Sequence, residues 1–205
     1  MNGYVKIAVV ALCMIIISIN NEVNKPYISA TPSVSEYIHI YIIRYIHYLV
    51  YLISSFYLLF FNGIGTTYDI YFYLIVVFSI VLGWYIFDSC WLSYSELLFY
   101  NINLEKVETT FHPTFRSIFK NYDDYLMVLS GILYVVNVSI LLYYLKPAKI
   151  IYKIIYFALF LYLFIDGSIK GRLQTMHYST KNKQLLFLKN AHDNYIDKLY
   201  KDNIK

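Results

Sequence analysis

Apolar residues in this chain come in long unbroken runs rather than in alternating or stripe-like patterns. Four of them, Tyr45 to Phe61, Ile70 to Phe87, Tyr125 to Leu145 and Ile150 to Ile165, contain 16 to 21 residues each. At a rise of about 1.5 Å per residue they extend about 24 to 32 Å, the thickness of a hydrocarbon core of about 30 Å. In lipid a single segment must satisfy its own backbone, so each run predicts a helix. The pattern therefore predicts an all-α fold, a polytopic helical membrane protein with four transmembrane helices. A fifth run, Ile7 to Ile19, is shorter and follows Lys6. Its length suits either a signal-peptide core or a retained amino-terminal helix. The charged, proline-containing stretch that separates it from Ile28-Ser29-Ala30 favours retention.

Polar punctuation sets the remaining organisation. Residues 1–36 read as the hydrophobic helix and an irregular link carrying Pro26 and Pro32, residues 37–165 as the helical bundle, and residues 166–205 as a basic amphipathic tail. Asn62-Gly63-Ile64-Gly65 predicts a tight turn that makes the first two long spans an antiparallel hairpin. Lys146-Pro147-Ala148-Lys149 predicts a second turn, with proline ending the helix before it. The connection 88–124 is long but only mildly hydrophilic. Phe111, Phe115 and Phe119 recur at a spacing of four, which predicts a helix at the membrane surface. In the tail, Leu185, Leu188, His192, Tyr195 and Leu199 share one helical face, with most lysines elsewhere. Gly167 is expected to break the last span, and Asp123 and Asp124 to begin the span Tyr125 to Leu145.

Composition supports the bilayer reading. Hydrophobic residues make up 59% of the chain, charged residues 15%, and the mean hydropathy is +0.51, whereas soluble domains are about 45–50% apolar and about 25% charged. The net charge of +4 is modest, but eight of the 17 Lys and Arg lie beyond Ile165. With the first helix retained, twelve basic residues fall on one side of the membrane and three on the other. The positive-inside bias thus predicts a cytoplasmic carboxyl terminus, with the tail placed to meet anionic lipid. Protein partners or a second copy are further candidates for the exposed loop and tail. Nucleic acid is excluded as a partner, because acids interleave the basic residues and no binding module surrounds them. Cys13 and Cys90 give no disulfide framework. His112, Asp123, Asp124, His177 and His192 contain no i, i+3 or i, i+4 pair of the kind that holds a metal, so no metal or other cofactor is implied.

One short motif carries candidate chemistry. Cys90-x-Leu92-Ser93-x-x-Glu96 follows the second long span, about forty residues after His47. The pattern resembles one in a family of short uncharacterised multi-pass membrane proteins, in which a histidine begins one helix and Cys-x-Leu-Ser/Thr-x-x-Glu ends the next. The resemblance covers His47 to Glu96, and this chain has Trp91 where that family usually has proline. It implies a helical hairpin and no particular reaction. The same residues spell a capping box, with the Ser93 hydroxyl on a helix amide, Glu96 reaching back, and Leu92 and Leu97 as a hydrophobic staple.

Three functions remain open on these observations. The first is a non-enzymatic structural or scaffolding membrane component. The second is a small membrane-embedded enzyme using His47, Cys90 and Glu96. The third is a transporter or pore subunit using Arg44, Asn137 and Lys153. Arg44 also has a plainer expectation, a snorkelling anchor at the headgroups. Asn137 has one as well, an amide that, with Ser130, Gly131 and Ser139, holds helices together. Asp166-Gly167-Ser168-Ile169-Lys170-Gly171-Arg172 has some similarity to the start of the alcohol phosphatidyltransferase motif, but its spacing differs and the later aspartates are missing.

Overall fold

The computed structural model describes residues 2–20, 32–61, 63–87, 89–100, 112–173 and 183–203. Among these there is no strand. In the described residues eight α-helices follow one another: α1 (Gly3–Asn20), α2 (Val34–Phe60), α3 (Thr67–Phe87), α4 (Trp91–Phe99), α5 (Pro113–Phe119), α6 (Asp123–Tyr144), α7 (Ile150–Leu173) and α8 (Lys183–Asn203), with a 3-10 turn at Lys120–Tyr122 between α5 and α6. Among the described residues four helices, α2, α3, α6 and α7, are long and apolar enough to cross a membrane. The helix expected at the amino terminus is present as α1. It lies antiparallel to α2, with Tyr4 against Phe61 and Ile7, Ala11, Met14 and Ile15 buried against Tyr48, Tyr51 and Leu52.

Local chemistry sets the helix ends. Ser33 caps α2 through a reciprocal box, its hydroxyl accepting from the Glu36 amide at 3.3 Å while the Ser33 amide donates to Glu36 Oε2 at 2.6 Å. The helix therefore begins at Val34, slightly before the end of the link expected at residue 36. Between α2 and α3 the turn is closed by Gly63 and Gly65, both at positive φ, where a side chain would be strained. Thr66 and Asp69 then cap α3.

The main core lies between α2, α3, α6 and α7, with Tyr57, Tyr73, Val77, Val81, Val138, Leu141 and Phe160 buried in it. Gly167 does not end the last span. Helix α7 continues to Leu173, and a Cβ at Gly167 would stand 2.9 Å from the Tyr85 backbone nitrogen, so the glycine permits close crossing of α7 over α3. One turn before the carboxyl end of α2 the backbone leaves helical geometry at Phe56, with φ −118° and ψ 22°. Donors on neighbouring helices serve the carbonyls beside this kink. Asn137 of α6 donates to Ser54 O at 3.2 Å and Ser55 O at 3.0 Å, and Tyr73 of α3 donates to Ser54 O at 2.8 Å. An interrupted helix in an apolar core needs such replacement donors.

Asn137 thus joins helices as expected, as does Gly131, while the two serines act differently. The hydroxyls of Ser130 and Ser139 turn back onto carbonyls of their own helix, and Gly131 admits Phe164 of α7. At the end of the bundle opposite the α2–α3 turn, α4 and α5 fold in against the first half of α2. They carry the polar residues considered next.

Candidate functional site

Arg44 does not reach outward to headgroups. It lies in α2 at 0% exposure, and its Nε donates to Glu96 Oε1 of α4 at 2.7 Å. The carboxylate is equally buried. A second donor, Nη2, reaches the Tyr100 hydroxyl at 2.9 Å, and the guanidinium carbon stands 5.6 Å from the centre of that ring. Desolvating two charges costs several kcal/mol each, which only close pairing and further hydrogen bonds offset. Both conditions are met here.

This pairing overturns the capping box expected at Ser93 and Glu96. Helix α4 begins at Trp91 with Cys90 as its N-cap, so Ser93 stands in the first turn rather than ahead of it. Glu96 cannot reach back to the Ser93 amide, because Arg44 and Thr114 hold both of its oxygens. Trp91 lies against Gly83 of α3, where a Cβ would meet its ring at 3.0 Å.

From Glu96 a chain of hydrogen bonds runs to the thiol, and its direction follows from donor and acceptor inventories. The Thr114 hydroxyl, at the start of α5, gives its only proton to Glu96 Oε2. Its oxygen must then accept from His47 Nδ1, 3.1 Å away. A neutral His47 carrying its proton on Nδ1 leaves a lone pair on Nε2. That atom faces Cys90 Sγ at 3.5 Å. The charge on Glu96 thereby fixes the imidazole tautomer through Thr114, with Arg44 holding the carboxylate in place.

The surroundings are tight and largely aromatic. Phe115 of α5 meets the His47 ring edge-on at 4.8 Å, and the Tyr48 hydroxyl donates to Thr114 O at 2.7 Å, locking α5 to α2. Cys90 is 8% exposed and His47 5%. Burial pushes the Cys90 thiol up, but the charge His47 carries once it has taken a proton and the hydrogen bond to that ring outweigh burial and bring the thiol down to about 7. Placement at a helix N-terminus beside an imidazole is the setting in which thiols ionise near neutral pH.

His47, Cys90 and Glu96 are thus brought together, with Thr114 as the bridge that sequence reasoning missed. Arg44, Tyr100, Ser93 and His112 also belong to the assembly. Arg44 carried a usable signal, because a charge inside an apolar helix demands a partner. Thr114 carried none, as nothing in its local sequence separates it from an ordinary loop threonine. The residues considered for transport stay apart in function. Arg44 is committed to Glu96 and Asn137 to the α2 kink, while Lys153 caps the Tyr143 carbonyl at 3.3 Å. Among the described residues no group of three or more His, Cys, Asp or Glu could hold a metal ion.

No protein-family model, curated protein or solved structure matches this chain.

Proposed function

We propose that this multi-pass membrane protein is a thiol-dependent enzyme that transfers or hydrolyses acyl groups at one face of the bilayer. Cys90 is the nucleophile, His47 the base, and Thr114 and Glu96 the orienting groups, with Arg44 fixing Glu96. The observation that supports this reading is the directed path from Glu96 through Thr114 and His47 Nδ1 to a lone pair aimed at the thiol. Nucleophile, base and orienter in hydrogen-bonded order form the arrangement that activates cysteine in acyl transfer.

In the first step the thiol proton passes to His47 Nε2 as Sγ bonds to the carbonyl carbon of an ester. The alcohol then departs, taking the proton from His47, and leaves a thioester on Cys90. Water attacks that thioester and gives its proton to His47, and the departing thiolate recovers the proton as the carboxylic acid is released. The positive-inside bias of the lysines and arginines favours the cytoplasmic side for this end of the bundle.

Incubating the protein in liposomes with a p-nitrophenyl acyl ester tests the reading. Turnover is expected, with an adduct on Cys90 that hydroxylamine removes. Turnover that survives Cys90→Ser, or no adduct at all, would overturn it.

A second reading, the non-enzymatic structural or scaffolding component, is favoured by α8. One face of that helix docks on the chain itself, with Tyr195 bonded to His39 at 2.8 Å and Leu188 against the α4 cluster, while Lys198 stays exposed. The free face suits an anionic lipid surface or a protein partner. Full function of a Cys90→Ser protein in its own cell would favour this reading.

A further inference from the structure

The geometry of the long helices gives the thiol a definite depth. Helix α3 runs for 21 residues from the polar cap at Thr66 and Asp69, about 32 Å and one hydrocarbon thickness, so it reaches the far boundary of the lipid near Phe87. Helix α7 marks the same boundary independently. Its apolar run closes at Asp166, and the next residue, Gly167, crosses α3 against the backbone of Trp84 and Tyr85. The exposed rings of Tyr85 and Tyr162 stand 6.1 Å apart at this level, the place aromatic residues take where acyl chains give way to headgroups. Helix α4 does not carry on into water. Its first residue, Trp91, lies back against Gly83, one turn short of the end of α3. Cys90, the residue before Trp91, faces His47 Nε2 at 3.5 Å and so lies within about one turn of the lipid boundary, where the ester carbonyls of glycerolipids lie. The rim of the site is apolar too. Ile46, next to His47 in α2, and Trp91, next to Cys90, are both exposed, as is Ile86 at the end of α3.

We propose that the acyl donor is an ester-linked glycerophospholipid of the surrounding bilayer, which reaches Cys90 sideways from the membrane. It rests on Cys90 being the nucleophile and names that nucleophile's substrate. A lipid in its ordinary place presents its ester carbonyl at the depth of the sulfur and its acyl chain to Ile46, Ile86 and Trp91. A water-soluble acyl donor would have to carry a polar headpiece down to that level and shed its hydration. Sγ bonds to the lipid carbonyl carbon while the thiol proton passes to His47 Nε2. The bond from that carbon to the glycerol oxygen breaks, and the oxygen takes the proton from His47, so a lysolipid departs and a thioester remains. Water then releases the chain as a fatty acid and restores the thiol.

The test is acyl release from the bilayer itself. The protein is reconstituted into vesicles of phosphatidylcholine and phosphatidylglycerol whose ester-linked chains carry a radiolabel. Labelled fatty acid and the matching lysolipid are expected, with a labelled, hydroxylamine-sensitive adduct on Cys90. His47→Gln should slow the release about a hundredfold, and Cys90→Ser should abolish it. Ether-linked counterparts of the same lipids hold the protein at the same depth without offering an ester. In them a water-soluble short-chain p-nitrophenyl ester should still turn over, with no product from the lipid. Turnover of that soluble ester while no labelled chain leaves the ester-linked vesicles would overturn the lipid substrate and leave the proposed enzyme intact. Loss of both activities would overturn the enzyme itself. Depth is read separately in Trp84→Phe protein, where Trp91 is the remaining tryptophan. Its fluorescence should be quenched more by a nitroxide carried beside the lipid ester than by one near the chain end, and the reverse order would place the thiol too deep to meet an ester.

Discussion

At the scale of single residues, the same four-residue spelling has two fates. Ser33 to Glu36 and Ser93 to Glu96 both read Ser-x-Ser-Glu, yet only the first closes a capping box. The second lies beside an arginine buried in an apolar helix, and the demand of that charge for a carboxylate outweighs the roughly 1 kcal/mol of a cap. Removing either partner should therefore cost far more than a surface ion pair. Arg44→Met or Glu96→Gln is expected to lower the unfolding free energy in bicelles by about 3–5 kcal/mol, and the double change Arg44→Met with Glu96→Leu by much less. Equal losses in single and double variants would contradict a pair held chiefly by mutual neutralisation. The sequence pattern offered His47, Cys90 and Glu96 as a candidate set. Thr114 could not be read from it, since only the fold brings α5 under α2.

Elements were more legible than contacts. Runs of apolar residues marked all four long helices, because a bilayer-sized segment leaves an unmistakable length signature. Boundaries governed by packing were not visible in this way. Gly167 looked like a helix end, but it lies inside α7, and its missing side chain is explained by the Trp84–Tyr85 backbone on α3. Gly167→Val should consequently destabilise the bundle by about 1–3 kcal/mol through overpacking, whereas a glycine at a frayed end would tolerate it. The α2 kink likewise depends on donors from other helices. Asn137→Leu removes two hydrogen bonds to the Ser54 and Ser55 carbonyls and should cost about 0.6–2 kcal/mol, read as an earlier midpoint in thermal unfolding. In helix α8, Leu188, His192 and Tyr195 of the expected apolar face lie against α2 and α4 of the chain itself, a berth the tail pattern did not indicate. Burial raises the Asp193 carboxyl, but hydrogen bonds to Lys189 and His192 outweigh it and hold the group below its ordinary value. Both partners lie on α8, so its contribution is to that helix; it is present at neutral pH and is lost as pH falls through the acid range, so protease cleavage of α8 should quicken under acid and not under mild alkali.

On the scale of the whole molecule, the two ends of the bundle differ in kind. One end holds short turns and the Tyr4–Asp69 contact. The other gathers α4, α5 and α8, the buried ion pair, and the thiol with the His47 imidazole. An interior fully committed to apolar packing would need none of these polar groups, and burying them is costly, so their concentration at one end supports a chemical task there. The most direct measurement is the rate of Cys90 alkylation against pH in Cys13→Ser protein, with and without His47→Gln. An activated thiol requires a midpoint near 7 with His47 present and a rise of one unit or more without it. A midpoint near 9 in both proteins would contradict the account.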